Sequence, residues 1–464
     1  MSENKSKIYN KFIENCAKKS FDVEHRERIK YNISRYENAF NSGKALYNNI
    51  ELAKHRAAIC KTKVLNELDK YLIEFEANFI TRGGKVIWAK DSKDVIKEVL
   101  SIARKYGARR IIKSKSMVTE EVGINEILEK NGIETIETDL GEFIVQIDND
   151  KPYHIVTPAM HKSKKDIALL FNKKYNIDPN STPEEITLFV RNLLRDKFTS
   201  ADIGITGCNF LKADIGGVCL TENEGNGLLS TSFPQVHIVI TGIEKILPSL
   251  KDLDLFWPLL ATHGTGQHLT VYNSIFTGPR QENEIDGPVE MYVILLDNNR
   301  TNLLAQLKQR RALSCIRCGA CLNFCPIYKN IGGHSYGSTY SGPIGAVITP
   351  WLKDLDDFQH LSFASSLCGK CTEVCPVNIP LHNLLLYNRR DIVANKLYNK
   401  QDKFVMFAYK HIMLRRKLIE KVNSKLKNRF ISKFFNKYWG PRRELPKFAE
   451  KSFNKMWTEQ REVR

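Results

Sequence analysis

The sequence contains no run of about 18 apolar residues, the length that a membrane-spanning helix requires. Its opening stretch, MSENKSKIYNKFIENCAKKS, carries no apolar segment of the kind found in secretory signal peptides. Low-complexity segments and internal repeats are also lacking, which excludes fibrous and solenoid architectures. With 42% hydrophobic and 26% charged residues, the composition is that of a globular protein, and we predict a cytoplasmic one.

Acidic residues are scarce in the last part of the chain. Residues 401–464 hold eighteen Lys or Arg against six Asp or Glu, a balance of +12 within the total net charge of +18. Aromatic residues alternate with the basic ones: Phe404, Phe407, Tyr409, Phe430, Phe434, Phe435, Tyr438 and Trp439. No nucleic-acid-binding module is recognisable, so nucleic acid is not an expected partner. The alternatives are contact with the inner membrane surface or an acidic redox partner, and a helical wrap over the neighbouring domain.

The pattern of predicted elements divides the chain into four parts. Residues 1–75 contain no proline, and apolar side chains recur three and four positions apart, which predicts amphipathic helices. Strands and helices alternate from Gly84, and the stretches ADIGITG, GGVCLTENEG, VHIVITG and MYVILLD are strand-like. This alternation predicts one α/β domain with a parallel sheet over 76–300. A cysteine-rich domain follows over 301–395, and the basic aromatic tail over 396–464 is predicted to be helical up to Lys437, before a turn at Gly440–Pro441.

Seven of the eleven cysteines lie between Cys315 and Cys375. The first run, CIRCGACLNFCP, has the spacing of bacterial ferredoxins, in which three close cysteines bind one cluster and the fourth reaches the other. The second run, CGKCTEVCP, is expected to contribute its first two cysteines to the second cluster and its last cysteine to the first. The predicted ligands are Cys315, Cys318, Cys321 and Cys375 for the first iron–sulfur cluster, and Cys325, Cys368 and Cys371 for the second. Zinc or free thiols are the alternatives, although evenly spaced triplets suit a single tetrahedral ion poorly.

The second predicted cluster lacks one cysteine. Ser365 occupies the position three before Cys368, where a full motif would place it. The second cluster is therefore predicted to be a 3Fe-4S centre, or a 4Fe-4S centre whose fourth iron takes the serine oxygen, water or a partner's ligand. The long segment between the two runs favours the helical two-cluster ferredoxin architecture, with one-electron transfer as its chemistry.

Longer stretches of the chain resemble a known family. CIRCGACLNFCPIYKNIGGHSYGSTYSGPIGAVITP and FASSLCGKCTEVCPVNIPLHNLLL closely resemble the iron–sulfur B component of the bacterial lactate-utilisation system, the serine at Ser365 included. The resemblance continues upstream through IVTPAMHKSKKDIALLF, ADIGITGCNFLKADIGGVCLTENEGNG, HGTGQ and FTGPR, and downstream through RRELPKF and KSFNKMW. It covers nearly the whole chain after the first few dozen residues.

The resemblance implies an α/β lactate-utilisation domain, related in fold to the sugar-phosphate isomerase and CoA-transferase group, fused to an α-helical two-cluster ferredoxin domain. It further implies an electron carrier in the oxidation of L-lactate to pyruvate. The implied partners are a cysteine-rich A component and a C component that shares the α/β domain. Cys208 and Cys219 depart from the small or polar residues expected at their positions, which leaves the match to the cluster motifs unaffected.

Two further groups of residues are candidates for function. Glu222, Asn223 and Glu224 follow a predicted strand and would line a ligand crevice at the carboxyl ends of the sheet, unless they only form a turn. They support a second hypothesis, in which the chain is itself an enzyme acting on a hydroxy acid or an acyl ligand. His334, between the cysteine runs, would tune a cluster through a hydrogen bond, or would simply pack. A third hypothesis is a scaffold whose clusters only hold the fold.

Overall fold

The computed structural model describes residues 3–398, 400–415, 418, 421–439 and 444–462. The chain forms two compact units, Met1–Ala394 and Asn395–Arg464. None of the helices within the described ranges is long and apolar enough to cross a membrane. The first unit joins a parallel-sheet α/β part to a helical cysteine-rich part, and this confirms the predicted fold class.

Four helices open the first unit: α1 (Glu3–Phe21), α2 (Val23–Lys44), α3 (Ile50–Asn66) and α4 (Leu68–Thr81). The carboxylate of Asp22 caps α2 by accepting a hydrogen bond from the backbone N–H of His25 at 3.0 Å. The prediction of helices in this segment is confirmed, and α4 continues past residue 75 because Phe75 and Phe79 pack in the core beneath the sheet.

The α/β part follows. Its strands are β1 (Lys85–Ala89), β2 (Arg110–Lys113), β3 (Glu134–Glu137), β4 (Ile203–Thr206), β5 (Phe210–Lys212), β6 (Gly217–Glu222), β7 (Val236–Gly242), β8 (Ile246–Leu247), β9 (Tyr272–Phe276) and β10 (Glu290–Leu296). Its helices are α5 (Ser92–Lys105), α6 (Met117–Val122), α7 (Ile124–Lys130), α8 (Leu140–Ile147), α9 (Lys164–Tyr175), α10 (Pro183–Thr199), α11 (Asn226–Ser232) and α12 (Leu253–Thr265). Six strands form a wholly parallel sheet in the order β1-β10-β7-β4-β2-β3.

The parallel sheet is covered on both faces. Ile238 and Ile294 point to the core beneath α5, whereas their neighbours Val239 and Val293 point to the core that holds Phe75. Successive side chains of a strand alternate between faces, so a sheet buried on both sides needs near-continuous apolar strands. The runs VHIVITG and MYVILLD meet that requirement.

A second, smaller sheet has the order β8-β5-β6-β9 and was not predicted. The strand predicted within GGVCLTENEG exists as β6, but it pairs antiparallel with β5 and β9 and does not join the parallel sheet. Strands as short as β5 and β8 show no clear alternation in the sequence, which explains why this sheet escaped prediction.

The cysteine-rich part consists of short helices: α13 (Arg300–Leu304), α14 (Ala320–Asn323), α15 (Pro326–Ile331), α16 (Gly342–Leu352), α17 (Gln359–Phe363), α18 (Lys370–Glu373) and α19 (Leu381–Ala394). Gly319 and Gly369 precede α14 and α18 with φ of 79° and 81°, a conformation that favours glycine. Both stand in a C-G-x-C sequence, so each cysteine run turns into a short helix in the same way. This part shares one core with α2 and α12, through residues such as Ile33 and Phe256.

The second unit contains three described helices, α20 (Lys400–Met413), α21 (Ser424–Trp439) and α22 (Phe453–Glu462). Six of the tail aromatics named from the sequence have exposed side chains: Phe404, Phe407, Tyr409, Phe430, Phe434 and Phe435. The predicted turn at Gly440–Pro441 and the side chains of Tyr438 and Trp439 lie outside the described residues.

Candidate metal centre

The four cysteines predicted for the first cluster line a single cavity. Cys315 follows a 3₁₀ turn at Gln309–Ser314, Cys318 lies before the left-handed Gly319, and Cys321 is on α14. Cys375 comes from the second run, just after α18. The fold therefore brings one residue from a distant motif to the three close ones, as the ferredoxin pattern requires.

The three cysteines predicted for the second cluster are close enough to influence one another electrostatically. Burial raises the pKa of Cys371 to about 12, with smaller contributions from the charges of Cys325 and Cys368. Burial and Cys368 likewise raise the pKa of Cys325. Cys325 and Cys371 are buried, whereas Cys368 is exposed. The second group thus contains one exposed cysteine, whereas the first contains three buried cysteines and the half-buried Cys315.

The surroundings of the thiols fit an iron–sulfur cluster. Burial raises the pKa of Cys375 to about 11 and that of Cys318 and Cys321 well above the usual value, so these thiols favour a proton or a metal over free charge. Backbone N–H groups nevertheless point at sulfur, from Arg317 to Cys315 Sγ at 3.4 Å and from Ile379 to Cys375 Sγ at 3.3 Å. Such donors stabilise a metal-bound thiolate, in which iron takes the place of the proton.

Ser365 lies in the loop just before Cys368. Its hydroxyl oxygen accepts a hydrogen bond from the backbone N–H of Leu367 at 3.1 Å, and its carbonyl accepts one from Arg389 at 3.2 Å. Leu367 adopts a left-handed backbone with φ of 55°. The loop is therefore shaped around the serine, and the serine's role as a fourth ligand stays a prediction.

A second cavity, of about 390 Å³, adjoins the first one. It lies at the carboxyl ends of β2, β3 and β4, beside Ser114, Asp139 and Gly207. Both cavities are lined by Ile155, Arg317 and Cys318. The carboxyl ends of parallel strands are the usual place for a ligand in an α/β sheet. The position therefore connects a ligand-sized space directly to the first cysteine group.

The segment from Glu222 to Glu224 lines this larger cavity. The Glu222 carboxylate accepts hydrogen bonds from the backbone N–H groups of Gly227 and Leu228 at 2.7 and 2.8 Å. Asn223 exchanges hydrogen bonds with Gln267, and Glu224 accepts one from the N–H of Leu140 at 3.1 Å. Burial raises the pKa of both glutamates. All three side chains thus hold neighbouring loops in place as well as facing the cavity.

Three basic residues line the cavity and were not predicted from the sequence: Lys115, Lys245 and Arg317. Lys245 is only 6% exposed, and burial and the nearby Arg317 lower its pKa. The Arg317 guanidinium stacks on the Tyr340 ring, 4.4 Å from its centre. A charged residue inside the run CIRC was a visible signal for Arg317. Lys245 had no such signal in the sequence, because only the fold places its segment beside the cysteines.

A buried ion network joins the α/β part to the first cysteine run. Arg300 contacts Glu121 at 2.8 Å and Glu244 at 2.7 Å, and Glu244 also faces Arg317 at 3.4 Å. Burial would raise the pKa of Glu244, but the charges of Arg300 and Arg317 outweigh it and hold the value at about 2. Tyr340 donates to Glu121 at 2.6 Å. The network fixes Arg317 between the two cavities.

His334 lies in a different cluster of side chains. Its Nε2 is 2.7 Å from the carbonyl oxygen of Lys151 and 3.8 Å from Asp150, and Asp150 also contacts His161 at 2.9 Å. The donor atoms of these two histidines and the aspartate lie within 4.8 Å of one another, close enough to hold a metal ion. The His334 ring packs against Tyr153 and His161. Tuning of an iron–sulfur cluster by His334 stays a prediction.

Two family models match parts of this chain. Residues 72–296 match the LUD domain family, and residues 311–379 match the 4Fe-4S dicluster domain family. Over 332 residues the chain is 49% identical to "Lactate utilization protein B 2" of Bacillus mycoides (strain KBAB4) and 48% identical to "Lactate utilization protein B" of Bacillus thuringiensis (strain Al Hakam). Each alignment covers 72% of this chain and 70% of the relative.

A solved structure of a DUF162 family protein from Deinococcus radiodurans is also similar, at 14% identity and a TM-score of 0.28. The similarity covers 49% of this chain and 98% of that one. The family match over the cysteine runs supports iron–sulfur clusters as the cofactors of this segment.

Proposed function

Because the chain belongs to the lactate utilization protein B family, we propose that it is an iron–sulfur electron-transfer component in the oxidation of L-lactate to pyruvate. It would work with partner subunits of a lactate-oxidising complex. The observation that carries the proposal is the pairing of two cysteine groups, one enclosed beside a ligand-sized cavity and one reaching the surface.

Each group has its own ligands in this proposal. Cys315, Cys318, Cys321 and Cys375 hold the first cluster, and Cys325, Cys368 and Cys371 hold the second. Bound clusters supply one-electron transfer. The chain orients them through its cysteines, and the N–H groups of Arg317 and Ile379 stabilise negative charge on sulfur. The exposure of Cys368 makes the second cluster the natural contact for an outside electron acceptor or donor.

An anaerobic experiment tests the proposal. The purified chain with reconstituted clusters is titrated with reductant, followed by low-temperature paramagnetic resonance, and then assayed with L-lactate and an artificial acceptor. We expect two reversible one-electron centres and no turnover until the partner subunits are added. Turnover by the chain alone would contradict the carrier role, and clusters that cannot be reduced would leave only a structural scaffold.

A second candidate function follows from the cavity of about 390 Å³. In this alternative the chain is itself an enzyme that acts on a hydroxy acid or an acyl ligand bound beside Glu222, Asn223 and Glu224. The same assay separates the two candidates, because only an enzyme would turn over substrate without partners.

We also propose that the tail, residues 396–464, contacts an anionic membrane surface. Its balance of +12 over residues 401–464 and its exposed Phe404, Phe407 and Phe430 support this. Binding of the full chain to anionic vesicles should weaken steeply with salt, since exposed charges are screened over about 8 Å at physiological ionic strength. Deleting residues 396–464 should abolish binding and leave the clusters intact. Unchanged vesicle binding after deletion, or collapse of the whole protein, would refute the proposal.

A further inference from the structure

Three side chains that can ligate a metal meet outside the cysteine groups. Asp150 and His161 belong to the segment between α8 and α9, and His334 begins the 3₁₀ turn that follows α15. His161 Nε2 is 2.9 Å from Asp150 Oδ2, and His334 Nε2 is 3.8 Å from Asp150 Oδ1. Two ligand atoms of a tetrahedral zinc ion, each about 2.1 Å from the metal, are about 3.4 Å apart. The two observed separations lie on either side of that value, so small side-chain movements bring all three groups around one ion.

The backbone brings the two segments together without the help of an ion. A Cβ atom at Gly333 would lie 1.8 Å from the carbonyl oxygen of Tyr153, so a larger residue would push the segments apart. The hydroxyl of Tyr328 donates a hydrogen bond to the same oxygen at 2.9 Å. The carbonyl oxygen of Lys151 lies 2.7 Å from His334 Nε2 and is a further oxygen beside the site. Because the fold places the ligands in advance, little ordering is left for metal binding to impose.

Aromatic packing orients both imidazole rings. Tyr153 is buried and stacks on His161 with ring centres 4.9 Å apart, and it meets His334 edge-on at 5.0 Å. The Tyr153 hydroxyl is in turn 3.0 Å from Nε2 of the buried His25. Outer contacts of this kind fix the orientation of ligating histidines in metal sites.

The positive charges near the site have carboxylate partners of their own. Lys162 lies 3.5 Å from Asp150, but it also forms an ion pair with Asp148. Arg28, which donates to the carbonyl oxygen of His161 at 2.6 Å, is paired with Asp166 at 3.0 Å. Lys162 therefore keeps a carboxylate partner when a cation takes its place beside Asp150.

We propose that Asp150, His161 and His334 bind one divalent transition-metal ion of the zinc type, separate from the iron–sulfur clusters. Two imidazoles and one carboxylate suit such ions, whereas magnesium and calcium prefer ligands that are all oxygen. The side chains of Asp150 and His334 are 31% and 30% exposed, so water can reach the remaining coordination position. The ion ties the segment between α8 and α9 to the turn after α15, and so links the α/β part to the cysteine-rich part. This site does not depend on the proposed electron-transfer function.

Equilibrium dialysis of the full chain against zinc, without oxygen and with the clusters loaded, tests the proposal. We expect one zinc ion per chain in addition to the iron. X-ray absorption at the zinc edge should show nitrogen and oxygen ligands at about 2.0–2.1 Å and no sulfur at about 2.3 Å. His161→Gln and His334→Gln should each lose the bound zinc and keep the iron. His55→Gln, which removes an exposed histidine elsewhere, is the matched control and should bind zinc as the native chain does.

The X-ray absorption measurement needs no variant, so it decides the question even if a histidine variant folds poorly. Absence of bound zinc in the cluster-loaded chain would overturn the proposal and leave the three side chains as a hydrogen-bonded group. Sulfur ligands around the zinc would also overturn it, since the ion would then be held by cysteines. Undiminished zinc binding in folded His161→Gln and His334→Gln would do the same.

Discussion

The two cysteine groups arise from nearly the same sequence motif, yet their surroundings differ. The first has four cysteines, and it borders a buried ion network and a ligand-sized cavity. The second has three cysteines, with Cys368 exposed and Ser365 at the position of the missing one. The motif brings similar sets of thiols together, whereas the surrounding fold decides how exposed each set is.

The difference also suggests a division of roles. In the proposed function, the group beside the cavity would lie next to a bound molecule, and the group with the exposed Cys368 would exchange electrons with another protein. Cys318 belongs to the enclosed group, since it is 7% exposed and lines both cavities. Substitutions on the two sides should therefore have effects of different size and kind.

Removal of one cysteine from each group should give the largest contrast. Cys318→Ala should eliminate the first cluster, about four of about eight irons, and should destabilise the core that this cysteine shares with α2 and α12. Cys368→Ala should lose only the iron of the second cluster and keep the fold, because its side chain is exposed. Iron content per chain and thermal unfolding measure both effects. Equal thermal stability of the two variants would remove the distinction between the groups.

The buried ion network of Arg300 next to the first group should contribute more to the free energy of unfolding than the exposed ion pair of Lys370 and Glu373 next to the second group. Arg300→Met leaves Glu121 buried without its ion-pair partner and Glu244 with Arg317 alone, and it should cost about 3–5 kcal/mol of unfolding free energy. Glu373→Gln breaks the exposed pair with Lys370 beside Cys371 and should change stability little. Urea unfolding at neutral pH compares them. A small effect of Arg300→Met would mean that the network does not support the first cavity.

The cysteine spacing and the parallel sheet both leave local signals in the sequence, and the sheet is present as predicted. C-x2-C spacing is read directly, and β7 and β10 are apolar on both faces. The small second sheet left no such signal, since β5 and β8 are too short to show alternation. Lys245 and Arg317 escaped prediction because they are remote in sequence, and only the fold places both at one cavity.

Acid pH should destabilise the α/β part through the buried His237. His237 on β7 is fully buried, and burial lowers its pKa to about 3. The folded value is below the unfolded one, so the unfolded chain takes up the proton first, and stability falls as the pH drops below about 6.5.

We expect about 2 kcal/mol of stability to be lost from this histidine between pH 7 and pH 5. His237→Gln should lack that part of the pH dependence, whereas His55→Gln, at an exposed position, should keep it. Urea unfolding of the three proteins at both pH values gives the difference. An identical pH dependence in all three would show that His237 does not stay neutral in the fold.

Ser365→Cys should produce the smallest and most specific change. An oxygen donor holds iron less firmly than a thiolate, so the native second cluster should lose one iron on mild oxidation, giving roughly seven to eight irons per chain. A cysteine at this position would complete the second group, raise its resistance to oxidation and change its spectrum.

The first cluster, enclosed by its own four cysteines, should keep its spectrum in the same variant. The loop can accommodate the change, because among the residues that the structure describes the Ser365 hydroxyl contacts the nearby backbone N–H of Leu367. Low-temperature paramagnetic resonance and iron analysis before and after oxidation follow both clusters in one sample. Two equally stable four-iron clusters in the native chain, unchanged by the substitution, would mean that a fourth ligand comes from elsewhere and that the second group is as complete as the first.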